Sequence, residues 1–228
     1  MTRLEALDWQ TAETALDAHG HAVLPRLLAA DACDALAAAC GDAAMWQKAI
    51  ALQTIDRGAG DRLPLGAMLP TPLRLLHAAL NARLVPIARR WRRVLADTGL
   101  SVATTDTDAS TGTEPAPASA MRLREGDYLA LHHDGIDGHA FPLRIALLLS
   151  QPGRDFSGGE FVTIEQRPRL QSRPTVVPLA RGDAVVFAAH RRPVTGGAGV
   201  YRAGLRRAVS RVRGGERLSI ELRFDDAT

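Results

Sequence analysis

Apolar positions recur along the chain in two periods. From Thr71 the residues Leu73, Leu76, Leu80, Leu84, Ile87, Trp91 and Val94 follow at steps of three and four, the stripe of an amphipathic helix. Thr71-Pro72 is a good cap and first-turn pair, Pro86 should kink the helix, and Gly99 is a natural stop. Upstream, Asp31 could cap a helix over Ala32–Ala39 that ends near Gly41, and His21-Ala-Val-Leu reads as a short strand. The Gly- and Asp-rich stretch Ile55–Pro70 reads as an irregular loop. Ser101–Ser119 is low-complexity and almost devoid of large apolar side chains, a flexible linker.

Beyond the linker the period shortens to that of strands. Phe141–Leu149, Glu160–Glu165, Thr175–Leu179, Ala184–Ala188 and Leu218–Phe224 are short, β-rich and bounded by Gly, Pro or Asp. The last alternates strictly. Leu218, Ile220, Leu222 and Phe224 lie on one face, and Arg217, Ser219, Glu221 and Arg223 on the other. Short strands after a helical start predict an antiparallel sandwich or jelly roll buttressed by helices. The organisation expected is 1–100 mostly helical support, 101–119 linker and 120–228 barrel, together one integrated domain.

Composition adds bounds. The 228 residues are 46% hydrophobic and 23% charged, ordinary globular usage. There is no apolar run of spanning length and no signal-peptide pattern at the N-terminus, so a cytoplasmic protein without membrane contact is expected. All but one of the 28 basic residues are arginine, Lys48 being the exception. Arg181–Arg223 holds ten arginines against three acids, which permits an anionic partner. Solvated strand faces are the plainer account, and aromatics at 4% leave few rings to stack on bases. Cys33 and Cys40, if helical, stand about 10.5 Å apart, too far for a disulfide, and read as core fillers.

The densest chemistry is Tyr128-Leu-Ala-Leu-His132-His133-Asp134-Gly135. On a strand His132 and Asp134 share a face while His133 points away. An imidazole and a carboxylate side by side form two corners of a facial divalent-metal site of the 2-His-1-carboxylate kind. Further on, Arg217 and Ser219 share one strand face and could grip a carboxylate, the arginine bidentately; otherwise they are the solvent side of an amphipathic strand. His19, His21, His77 and His139 read as surface or packing residues, and Asp155, Glu160 and Asp183 as turn-fixing acids.

The segment from Tyr128 to Thr228 resembles the Fe(II)/2-oxoglutarate-dependent oxygenases, in particular a bacterial prolyl-hydroxylase-like subgroup. The blocks that carry the resemblance are Phe141-Pro-Leu-Arg-Ile-Ala-Leu-Leu-Leu-Ser-Gln-Pro-Gly, Phe156-Ser-Gly-Gly-Glu-Phe161, Glu165-Gln-Arg-Pro-Arg-Leu-Gln-Ser172 and Gly182-Asp-Ala-Val-Val-Phe187. His19-Gly-His-Ala-Val-Leu-Pro-Arg-Leu-Leu resembles the subgroup's N-terminal region. The resemblance implies an α+β protein, a double-stranded β-helix (a jelly-roll, cupin-like barrel) with the N-terminal helical region packed against it. It implies Fe(II) and 2-oxoglutarate as cofactors, with His132 and Asp134 on the metal. Arg217 would hold the distal carboxylate of 2-oxoglutarate, assisted by Ser219 and, from the aromatic position before the metal strand, Tyr128. The implied activity is a dioxygenase reaction, hydroxylation above all, on a small-molecule or amino-acid-like substrate, with release of succinate and CO₂; nucleic acid is a further candidate partner.

One position departs from the pattern. The family's second metal histidine falls in a His-Gly-Val-Ser run that here reads Arg207-Ala208-Val209-Ser210. A guanidinium is cationic and offers no lone pair, so Arg207 cannot ligate a metal. Three accounts follow. His190 supplies the missing nitrogen; or iron binds through His132 and Asp134 with cosubstrate and water; or the barrel is a diverged, non-catalytic binding module.

Overall fold

The structure, a computed structural model, describes residues 3–42, 45, 48–66, 69–97, 116–133, 141–168, 170–197 and 199–225. Two antiparallel sheets face each other. The larger has the order β1 (His21–Leu24), β11 (Ala184–Ala188), β7 (Leu143–Leu148), β14 (Val212–Leu222), β5 (Ala118–Arg124), β4 (Asp61–Pro64) and β2 (Ile50–Ala51), with β8 (Phe156–Gly158) on β14. The smaller runs β10 (Arg173–Val177), β9 (Phe161–Gln166), β13 (Gly199–Val209), β6 (Tyr128–His132) and β3 (Gly58–Ala59), with β12 (Arg191–Gly196) on β13. This is the expected α+β jelly roll.

Three helices support it. α1 (Trp9–His19) is capped by Asp8, whose carboxylate accepts from the Thr11 amide, and ends at Gly20 with φ 74°, a left-handed position that glycine takes without strain. α2 (Ala30–Ala39) starts two residues earlier than expected. Ala29 holds the cap position without a side-chain bond, and Asp31 lies inside the first turn. α3 (Thr71–Asp97) continues as one helix past Pro86. Its buried stripe follows the expected leucines to Trp91 but ends on Leu95 rather than Val94. No helix among the described residues is long and apolar enough to cross a membrane.

The larger sheet is buried on both faces. Leu143, Ile145, Leu147, Ile220 and Leu222 belong to one continuous core with Leu16, Leu36, Leu76, Leu80, Leu84 and Trp91 from the helices. Trp91 donates its indole N–H to Asp17 at 2.7 Å, and His77 stacks on Phe224, tying α3 to α1 and to the end of β14. Cys33 and Cys40 are free and buried, and burial pushes the Cys40 thiol up to about 12.

Two expectations about the residues before the barrel are corrected. Ile55–Pro70 is not a loop throughout: β3 pairs with β6 and β4 pairs with β5, one strand for each sheet. Its glycines make this possible. Gly58 and Gly60 have φ of 114° and 120°, and a Cβ on Gly58 would lie 2.3 Å from the Tyr128 carbonyl oxygen. The segment read as linker also yields its last two residues, Ala118 and Ser119, to β5; residues 98–115 lie outside the described residues.

Candidate functional site

Contacts across the gap between the sheets define the barrel interior. Arg207 on β13 reaches Glu221 on β14 and Phe187 on β11, and Phe161 on β9 packs on Phe187 with ring centroids 5.4 Å apart. Alternation along β14 then places Arg217 and Ser219 on the same inward face as Glu221. The face that reads from sequence either as a carboxylate grip or as the solvent side of an amphipathic strand is the wall of the chamber. Part of the basic C-terminal segment is likewise turned inward. Arg192, Arg207 and Arg217 are only 1%, 5% and 2% exposed, so they are interior charges and not a solvated surface.

Arg217 is the least compensated of these. Its Nη1 donates to Ser219 Oγ at 2.9 Å, its Nε is buried without a hydrogen-bond partner, and no carboxylate pairs with it among the described residues. Burial lowers its pKa to about 10. Gly159 makes room for the side chain, since a Cβ there would sit 2.9 Å from Arg217 Cδ. Beside the guanidinium opens a cavity of about 390 Å³, lined by Leu148, Phe156, Gly159, Phe161 and Val177. A buried cation with an unused donor, at the wall of an apolar cavity of ligand size, is suited to a carboxylate.

The second half of the site lies on the smaller sheet. His132 closes β6, is buried, and stands directly opposite Arg207 in the β6–β13 pairing. A register shift between the Arg207 and Val209 pairs lets both Leu129 and His132 face inward although they are three residues apart. His132 Nδ1 donates to the Ala130 carbonyl at 2.7 Å, which in the neutral ring leaves the lone pair on Nε2. Asp134, the expected partner ligand, lies outside the described residues, as does His139.

Arg207 is held by a carboxylate and an aromatic face, and that carboxylate is shared with a second arginine. Its Nη2 donates to Glu221 Oε2 at 2.6 Å, its guanidinium carbon lies 4.9 Å from the centroid of the Phe187 ring, and Arg144 takes the other Glu221 oxygen at 2.9 Å. Burial alone would raise the Glu221 pKa. Arg207 first, then Arg144, Arg223 and Arg62, outweigh it and hold the carboxyl well below its ordinary range. Glu221 and Arg144 are functional candidates that sequence reasoning missed. The one available signal was that Glu221 alternates in phase with Arg217.

Other expected site residues make contacts of their own. His190 stacks face to face on His133, the neighbour of His132, with centroids 4.1 Å apart and planes 7° from parallel. Tyr128 lies under the Arg211 guanidinium at 5.1 Å. Glu160 receives the Ser210 hydroxyl and, through its amide, donates to Ser210 Oγ at 3.0 Å, fixing the β8–β9 turn. Glu165 and Arg192 form a second interior ion pair, whose guanidinium also donates to the Asp17 and Ala18 carbonyls and so latches α1 to the barrel.

Comparison with known proteins agrees with this architecture. Residues 64–227 match a family described as an oxygenase catalysing oxidative methylation of damaged DNA. An uncharacterised protein of Mycobacterium tuberculosis is 36% identical over 169 residues, covering 71% of this chain and 72% of that protein. A prolyl-4-hydroxylase of Pseudomonas putida superposes with a TM-score of 0.57 at 18% identity, covering 95% of this chain and 98% of that one. A 2OG-Fe(II) oxygenase family oxidoreductase of Burkholderia pseudomallei gives 0.54 at 18%, covering 93% and 88%. The chain belongs to this oxygenase family, and with it to the Fe(II)/2-oxoglutarate-dependent oxygenase superfamily.

The two cofactors of the superfamily fare differently against these residues. 2-Oxoglutarate fits: Arg217 offers an unpaired buried cation beside a cavity. The position of the family's second metal histidine cannot serve iron here, because the side chain opposite His132 is a guanidinium engaged with Glu221. Among the described residues no three His, Cys, Asp or Glu side chains converge.

Proposed function

We propose that the chain binds 2-oxoglutarate, or a dicarboxylate very like it, inside the oxygenase barrel, with Arg217 as the anchor of the far carboxylate. The observation that carries the proposal is the buried Arg217 Nε without a partner at the wall of the 390 Å³ cavity. Protein interiors rarely leave a cation in that state unless a ligand completes it. Arg217 supplies two N–H donors in a plane, and Ser219, already bonded to Nη1, fixes the guanidinium's orientation. Phe156, Phe161, Leu148 and Val177 keep water from the ligand's methylene carbons. When bound, 2-oxoglutarate would supply a 2-oxo acid, whose oxidation to succinate and CO₂ would in addition require O₂ and a bound iron.

Titration calorimetry tests the proposal. 2-Oxoglutarate and glutarate should bind the wild-type chain, and Arg217→Met should weaken both by about 2 kcal/mol or more. Equal binding by the mutant would reduce Arg217 to a packing residue.

A second reading keeps the family's chemistry: an oxygenase whose Fe(II) is held by His132 and Asp134 alone, oxidising a small molecule or, by the family's description, damaged DNA. The inward His132 with its lone pair on Nε2 favours it. That reading requires a visible charge-transfer band when Fe(II) and 2-oxoglutarate are added without oxygen, and oxygen-dependent succinate release. For DNA, it requires retardation that weakens steeply with salt.

A further inference from the structure

We infer that the cavity beside Arg217 takes a second class of ligand, a monocarboxylic acid with an apolar body of the medium-chain fatty acid kind. It binds on the same guanidinium as 2-oxoglutarate and excludes it. The inference rests on the reading of Arg217 as a carboxylate anchor given above.

The cavity offers one place for an acid group. Among the described residues that line it, Arg217 is the only cation, and its Nε has no partner. The other ionisable side chain there is Glu160, whose carboxylate already accepts from Ser210 and Arg213. A second acid group inside the cavity would meet a like charge and find no counterion. The backbone does not replace the missing cation. Pro152 and Pro178 have no amide N–H to give. The amides of Gly153 and Gly159 donate to the carbonyls of Phe156 and Arg211, and that of Glu160 donates to Ser210 Oγ. 2-Oxoglutarate held by Arg217 must therefore turn its other acid group out of the cavity.

The rest of the wall suits hydrocarbon. Leu148, Phe156, Phe161 and Val177 are buried and form the inner part. Leu179, Pro178 and Val176 carry the apolar lining outward, and Val176 is 58% exposed. An alkyl chain that starts at Arg217 can follow this wall without setting a polar atom against it. Its carboxylate completes the guanidinium, and each methylene it buries leaves water for an apolar surface.

The test is calorimetric titration of the full chain with butyrate, hexanoate and octanoate, all below their micellar concentrations, and with 2-oxoglutarate as competitor. Affinity should rise about threefold per added methylene, so octanoate should bind at least about thirtyfold more tightly than butyrate. Saturating 2-oxoglutarate should suppress octanoate binding, and Arg217→Met should weaken octanoate about thirtyfold. Octanol, which has the chain without the acid, should bind at least about tenfold more weakly than octanoate. Affinity that is flat with chain length, octanol binding as tight as octanoate, or octanoate bound undisturbed beside 2-oxoglutarate would each overturn the inference. The 2-oxoglutarate reading would survive any of these, provided 2-oxoglutarate itself binds and is lost in Arg217→Met. Octanoate held through Arg217 without binding of 2-oxoglutarate would support the inference and sink the dicarboxylate reading. Failure of every acid to bind, or full binding of all of them by Arg217→Met, would overturn the Arg217 reading and this inference with it.

Discussion

Replacing Arg217 with Met should make the ligand-free protein more stable, although it removes a buried hydrogen bond. The side chain is 2% exposed, and burial lowers its pKa to about 10. At 1.36 kcal/mol per pKa unit, that shift corresponds to about 3 kcal/mol spent on keeping the cation in place. Methionine keeps much of the length without the charge and fills irregular gaps well. Loss of the 2.9 Å bond to Ser219 returns about 1 kcal/mol, leaving a net gain of about 1–2 kcal/mol. For a chain of this size that is about 2–8 °C in melting temperature. Thermal melts with increasing 2-oxoglutarate supply the assay. The wild type should gain about 2.7 kcal/mol at a hundred times its Kd, and the variant, binding about 2 kcal/mol or more weakly, should gain about 1 kcal/mol or less at the same concentration. A variant that melts below the wild type and still responds to the ligand would refute the reasoning, because Arg217 would then be a satisfied structural cation.

Acid should destabilise the fold through the interior carboxylates. Glu165 and Glu221 are both held below their ordinary values, Glu165 because bonds from Arg167 and Arg192 outweigh its burial. Their contribution is complete above the unfolded value of about 4.3 and is lost as pH falls through the lowered folded values, where the unfolded chain binds more protons. Urea melts from pH 6 to pH 2.5 should show this loss, and Glu221→Gln should flatten the slope; an unchanged slope would contradict the assignment. Gly159→Ala should weaken 2-oxoglutarate binding, because φ is 63° there and the new Cβ would lie 2.9 Å from Arg217 Cδ. Calorimetry with the variant checks this, and intact binding would show that Arg217 can move freely. Glu165→Gln, which strands the buried Arg192, should cost about 3–5 kcal/mol of folding stability in denaturant melts. A cost below 1 kcal/mol would mean that the Asp17 and Ala18 carbonyls suffice to hold Arg192.

Periodicity reported the elements that bury one apolar face. β7, β9, β11 and α3 lie where their leucines, valines and isoleucines placed them. It failed where strands carry charge inward. β12 opens on two arginines and most of β13 is arginine, glycine and alanine, so Arg192 looked like a solvent-facing charge until its partner Glu165, 27 residues away, supplied the compensation. β3 and β4 were hidden for another reason: glycines at positive φ serve a tight strand approach there, and in sequence they read as a loop. At the site, the resemblance singled out Arg207 as a departure, and the spacing put Arg217 beside Ser219. The Glu221–Arg144 engagement of Arg207 depends on three strands meeting across the barrel, and no local pattern encodes it.

The most direct measurement is a crystal structure of the chain grown with 2-oxoglutarate in EDTA. The account predicts the ligand in the cavity beside Phe161 and Val177, with one carboxylate accepting from Arg217 Nε and Nη. An empty cavity at saturating ligand, or 2-oxoglutarate bound elsewhere with Arg217 Nε still unpartnered, would contradict it.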